Sequence, residues 1–142
     1  MVYYTPLLFK MIKNKISFRV RYQETDQMGV VYHGNYAQYL EIGRIDWLRT
    51  MGISYKKMEA DGVMLPVVSL SLKFLRSALF DDLLTIETTL KKEPLARIEF
   101  EYTIHNQDGV LLVKANTVLA FMNSSTKKPM RCPAIILERI RS

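Results

Sequence analysis

One cysteine and two histidines in 142 residues exclude several kinds of chemistry at once. Cys132 has no second cysteine to pair with, so an internal disulfide is ruled out and a reducing compartment is expected. His33 and His105 are too few and too far apart for a metal cluster, so neither metal nor cofactor is expected. No apolar run nears the ~20 residues of a membrane span. The stretch Tyr3–Phe9 lacks the basic start and the small-residue cleavage site of a signal peptide, which points to the cytoplasm. Long blocks of one charge are missing too: Lys56-Lys57, Lys91-Lys92 and Lys127-Lys128 are scattered pairs, not the basic stripe of a nucleic-acid binder. The net charge of +6 then serves solubility, or draws in a polyanion such as a polyphosphate-bearing small molecule.

What is present is an ordinary globular composition, 49% apolar and 24% charged. A chain this long forms one domain that buries a little under ~70% of its unfolded surface. Residues 1–14 show no pattern tying them to a first strand, and Met11 can itself start translation. They are read as a disordered or artefactual extension ahead of a domain at 15–142.

Along the domain the hydrophobic period switches twice. Ile16, Phe18, Val20 and Tyr22 alternate with polar residues as a first strand. Tyr36, Leu40, Gly43 and Trp47 then recur at helical spacing, with Asn35 and Gln38 placed as a capping box and Gly52 as the C-terminal stop. Gly43 would let this helix approach a sheet closely, and an ion pair between Glu41 and Arg44 is expected on its surface. A short helix from Ser54 to Ala60 follows. Period two returns at Pro66, with Val68, Leu70, Leu72 and Phe74 on one face, and continues through Leu84–Leu90 and Ile98–Ile104. The last strand, Val110–Met122, carries Leu111, Val113, Ala115, Thr117, Leu119 and Phe121 on one side. Asp108-Gly109 marks a hairpin, and Pro133 opens a terminal helix. The predicted class is α+β: a five-stranded antiparallel sheet curled around one long helix, with short extra helices. Its exposed edges favour pairing with a second copy, as a homodimer or a dimer of dimers (homotetramer).

Chemistry concentrates in the strand-to-helix loop from Thr25 to Tyr36. Asp26 there either ties down its own loop, the common fate of such an aspartate, or acts on a substrate at a helix N-terminus whose unpaired N–H groups stabilise a developing oxyanion. Glu24 is the other acid of the loop, and the spacing alone does not choose between the two. His33 offers a ring and a backbone N–H, while Gly34 permits close approach of a ligand. Met28, Tyr32, Leu65, Pro66 and Val67 suggest an apolar pocket. His105 and Cys132 read as structural.

The run Arg21-Tyr22-Gln23-Glu24-Thr25-Asp26-Gln27-Met28-Gly29-Val30-Val31-Tyr32-His33-Gly34-Asn35-Tyr36 resembles the signature of hotdog-fold acyl-CoA thioesterases of the YbgC and 4-hydroxybenzoyl-CoA thioesterase type. The similarity extends more loosely from Lys15 to Met122, through Pro66–Ser69 and Asp81–Thr88. It implies a hydrolase that cleaves an acyl-CoA thioester with Asp26 as the catalytic carboxylate. It also implies N–H groups near His33 and Gly34 as the oxyanion site, and Tyr32, Gly34 and Asn35 at the substrate. Leu65, Pro66 and Val67 would line the pocket from the partner chain. Related enzymes carry a basic cluster between the third and fourth main strands for the nucleotide phosphates. Here only Lys91, Lys92 and Arg97 stand in that stretch. A non-catalytic adaptor for an acyl thioester or an acyl-carrier protein is the alternative.

Overall fold

A computed structural model describes residues 9–142 of the chain. The elements run β1 (Ile12–Arg19), α1 (Tyr36–Thr50), α2 (Tyr55–Ala60), β2 (Val63–Met64), β3 (Val67–Phe74), β4 (Leu83–Leu90), β5 (Arg97–His105), β6 (Leu111–Ala120), β7 (Met122–Asn123) and α3 (Ala134–Arg141). Five strands make one antiparallel sheet in the order β1-β4-β5-β6-β3, and β2 pairs with β7 in a separate ribbon. This is the expected α+β hotdog arrangement, with α1 packed on β1 and β4.

The helix meets the sheet through Tyr36, Tyr39, Leu40, Gly43, Trp47 and Leu48, all buried. They face Leu84, Ile86, Leu90, Ile98, Phe100 and Ile104, which are fully covered. Gly43 is where the two surfaces come closest: an added Cβ would lie 2.7 Å from Thr88 Oγ1 and 3.0 Å from Ile86 Cγ2. The helix stops at Gly52, whose φ of 78° suits glycine. Ser54 then caps α2 by accepting from the Lys57 N–H at 3.1 Å. Gly109, at φ 74°, turns the β5–β6 hairpin.

Several expectations need correction. β1 begins at Ile12, so Ile12–Asn14 belong to the sheet and not to an extension; the expectation for residues 1–8 lies outside the described residues. Tyr22 is an exposed member of a 3-10 turn (Tyr22–Glu24), not a strand residue. The Asn35–Gln38 capping box does not form, because a 3-10 turn at His33–Asn35 runs directly into α1. No Glu41–Arg44 ion pair is present among the described residues; Asp46 and Arg49 make the pair on this helix at 3.5 Å. A register shift opposite Ile104–His105 buries Leu112 along with Val113, which breaks the strict alternation expected of β6.

One departure bears on function. The sheet does not close over α1 on all sides. β3 forms an edge, and its apolar residues stay open, with Leu70 at 45% and Phe74 at 50% exposure. Register with β6 places Leu70, Leu72 and Phe74 opposite Thr117, Ala115 and Val113, on the face that carries the helix.

Candidate functional site

The loop between β1 and α1 is held at its base by Glu24. Its carboxylate is 7% exposed and accepts from the Arg21 N–H at 2.7 Å, the Arg21 guanidinium at 3.1 Å and the Tyr39 hydroxyl at 3.0 Å. Its carbonyl accepts from the Tyr32 N–H at 2.9 Å and from the Asn35 side-chain amide at 2.8 Å. Burial, and then the bond to Glu24, push the Tyr39 phenol above its ordinary range. Glu24 is therefore committed to the scaffold.

Asp26 stands on the other side of that base, exposed. One carboxylate oxygen accepts from the Met28 N–H at 2.8 Å, with a longer approach of 3.4 Å from the Val30 N–H. The backbone around it closes a tight turn, Asp26 N–H to Val30 at 2.9 Å and Gly29 N–H to Asp26 at 3.0 Å, with Gly29 at φ 79°. The second oxygen has no partner among the described residues. Both meanings of a loop aspartate thus coexist: one oxygen ties the turn and the other faces outward.

A cavity of about 300 Å³ brings Asp26 together with Val30, Val31, His33, Tyr36 and the segment Phe74–Ser77 at the end of β3. The Val31 N–H bonds to Ala78, and Val30 bridges to Leu79, so the two loops are clamped against each other. His33 and Gly34 open the 3-10 turn that leads into α1, and neither of their N–H groups has an acceptor among the described residues. Such groups, with the positive end of the helix behind them, suit a carbonyl oxygen that gains charge. Of the two, His33 lines the cavity with Asp26, and a carboxylate and a donor at one opening can polarise a carbonyl and attack it, or activate water toward it.

The other candidates are placed differently. The Tyr32 ring leans on His33 with centroids 4.4 Å apart and covers Gly34, where an added Cβ would lie 2.5 Å from Tyr32 Cε2. Asn35 spends its amide on Glu24, so it secures the loop and does not line the cavity, contrary to its expected contact with substrate. Leu65 is core, and Pro66 and Val67 stand at the far end of β3 from Phe74, outside the cavity. Met28 is exposed beside the loop. Lys91 and Lys92 are paired with Glu101 and Glu99, and Arg97 begins β5, all away from the cavity. Arg76 and Ser77 were missed, because nothing in a strand-ending Phe-Leu-Arg-Ser marks which loop it will touch. Cys132 is buried and its thiol is pushed up to about 12, chiefly by burial, which leaves it inert. Among the described residues no group of three or more His, Cys, Asp or Glu could hold a metal ion. No described helix is long and apolar enough to cross a membrane.

A helix wrapped by a five-stranded antiparallel sheet, with a loop carboxylate at its N-terminal opening, defines the hotdog class of thioester-cleaving domains. The profile described as the thioesterase-like superfamily matches residues 20–140, and the chain belongs to that superfamily. It is 31% identical to the putative acyl-CoA thioesterase YneP of Bacillus subtilis, over 83% of this chain and 86% of that one. It is 32% identical to the acyl-CoA thioesterase YbgC of Haemophilus influenzae, over 87% and 92%. Among solved structures, a DHNA-CoA thioesterase from Staphylococcus aureus superposes with a TM-score of 0.81 at 34% identity, covering 84% of this chain and 80% of that one.

Proposed function

We propose that this protein hydrolyses acyl-CoA thioesters, with Asp26 as the reacting carboxylate and the His33 and Gly34 N–H groups as the oxyanion site. The observation that carries this assignment is the shared cavity: Asp26 and the start of the main helix open onto the same space. The free Asp26 oxygen attacks the carbonyl carbon or takes a proton from water that does so. The carbonyl oxygen gains charge against the helix-start N–H groups, and the carbon–sulfur bond breaks to release coenzyme A. Attack by water gives the acid directly, whereas attack by Asp26 leaves a mixed anhydride that water then hydrolyses to the acid and the free carboxylate. Names of relatives at 31% and 32% identity support coenzyme A as the carrier.

The open edge of β3 supports a homodimer that completes the pocket. Antiparallel pairing of β3 with its counterpart in a second copy covers Leu70 and Phe74, whose exposure is otherwise costly for an edge strand. The same pairing carries Leu65, Pro66 and Val67 of the second copy toward this protomer's Phe74, hence toward Asp26. Pro66 and Val67 then line the acyl pocket in trans, with the buried Leu65 behind them.

The test is turnover of a panel of acyl-CoA esters by wild type and Asp26→Asn. The amide keeps an oxygen for the Met28 N–H, so the fold is retained while kcat/KM falls on the order of a thousandfold. Equal turnover by both proteins removes Asp26 from the reaction. Tight binding without turnover by either favours an adaptor. Label recovered in Asp26 after a single turnover in ¹⁸O-labelled water reports attack by the carboxylate, since a general base never takes up water oxygen.

A further inference from the structure

The cavity contains a charge that the proposed hydrolysis does not yet use. Arg76 follows the end of β3 and lines the same space as Asp26 and His33. Its backbone N–H is anchored to the Leu112 carbonyl at 3.1 Å, which shares that acceptor with the Leu75 N–H at 2.8 Å. Its side chain is exposed, and among the described residues its guanidinium has neither an ion pair nor a hydrogen bond. The carboxylate nearest in function, Asp26, directs one oxygen to its own loop. Arg76 is the one Lys or Arg among the described residues that line this cavity, and its permanently charged guanidinium is free to meet a ligand there.

Resting on the hydrolase assignment above, we infer that Arg76 stabilises the thiolate that leaves. Thioester hydrolysis places negative charge at two points. The first is the carbonyl oxygen, which the helix-start N–H groups serve. The second is sulfur, which receives the electron pair of the carbon–sulfur bond as it breaks. Net consumption of one water gives the acid, and a proton reaches the thiolate through solvent after release. Measured against an attacking carboxylate, whose acid has a pKa of about 4, an aliphatic thiolate is the poorer leaving group, since its thiol has a pKa of about 8.5. A guanidinium beside the sulfur lowers that cost as the charge appears.

Distance argues against the other anion available to Arg76, a phosphate of the carrier, because Arg76 lines the same space as Asp26. The phosphates of coenzyme A stand a whole pantetheine arm from the sulfur, so a thioester seated at Asp26 keeps them outside.

The experiment uses the full chain and one acyl group on four thiols: coenzyme A, N-acetylcysteamine, thiophenol and 4-nitrothiophenol. Wild type, Arg76→Met and Arg76→Lys are compared by kcat/KM, with thermal melts to verify that the exposed substitutions leave the fold intact. Arg76→Met is expected to lose on the order of a hundredfold with coenzyme A and with N-acetylcysteamine alike. The loss should shrink stepwise as the thiol becomes more acidic, to within about threefold for 4-nitrothiophenol, whose thiolate needs little help. Arg76→Lys should restore most of the rate with the aliphatic thiols. An equal loss across all four thiols overturns the inference and places Arg76 at the carbonyl oxygen. A loss confined to coenzyme A overturns it in favour of phosphate binding, and no loss at all removes Arg76 from the site. The hydrolase assignment is read separately, from wild-type turnover: if the wild type cleaves none of the four esters, both fall.

Discussion

Replacing Glu24 by alanine should unfold the support of the site without touching the reacting carboxylate, and its cost can be worked from the bonds it makes. The Arg21 guanidinium is largely exposed, so its ion pair with Glu24 contributes at most about 1 kcal/mol. The Tyr39 hydroxyl is different. Tyr39 is 1% exposed, and Glu24 is its acceptor at 3.0 Å, so alanine leaves a buried donor unsatisfied at a cost of about 1–3 kcal/mol. With the lost bond from the Arg21 N–H, the sum is about 3 kcal/mol, which lowers Tm by roughly 10 °C in a domain of this size. Calorimetry on wild type, Glu24→Ala, Tyr39→Phe and the double variant checks the value. Because Tyr39→Phe removes the stranded hydroxyl, the double variant should lose less than the sum of the singles. A Glu24→Ala melt within 2 °C of wild type, or strict additivity in the cycle, would refute the clamp as drawn.

Three further outcomes are expected. Gly43→Ala gains about 1 kcal/mol of helix propensity but presses a methyl against Thr88 and Ile86, both fully buried, so urea denaturation should show a net loss of about 1–2 kcal/mol. Leu70→Lys places a charge on the open β3 edge, and sedimentation should shift from dimer to monomer; an unchanged wild-type-like dimer would move the interface elsewhere. The Tyr39 phenol is raised in the folded state above its unfolded value near 10, first by burial and then by Glu24. Its contribution to stability is therefore fully present below about pH 10 and is lost as pH rises through the folded value, so Tyr39→Phe should flatten part of the alkaline decline in denaturation midpoint.

Much of the fold is legible in the sequence because its elements follow from short-range periodicity. Tyr36, Leu40, Gly43 and Trp47 mark the buried stripe of α1, and Ile98, Phe100, Tyr102 and Ile104 mark β5, since one apolar side per element leaves few ways to pack. Turn chemistry was equally readable at Gly52 and Gly109, where the backbone takes positive φ. Element ends were not. β1 starts at Ile12 because pairing with Leu90 of β4 extends it, and that partner lies far along the chain. The capping box at Asn35 fails for a similar reason: its amide finds the Glu24 carbonyl, a partner set by the loop's path and not by helix spacing.

The sequence by itself determined the chemistry available: one loop rich in polar groups, an aspartate within it, and a helix beginning a few residues on. The motif already favours Asp26 over Glu24, and the tertiary structure supplies the physical reason, burying Glu24 under Tyr39 and leaving Asp26 at an opening. It alone brought Arg76 and Ser77 to that opening, by clamping the segment after β3 against the Asp26 loop through Val31 and Ala78. The physical reason is range. Hydrophobic period and turn preference act over a few residues and can be read along the chain, whereas the surroundings of a charge are assembled from segments that only the folded sheet makes neighbours.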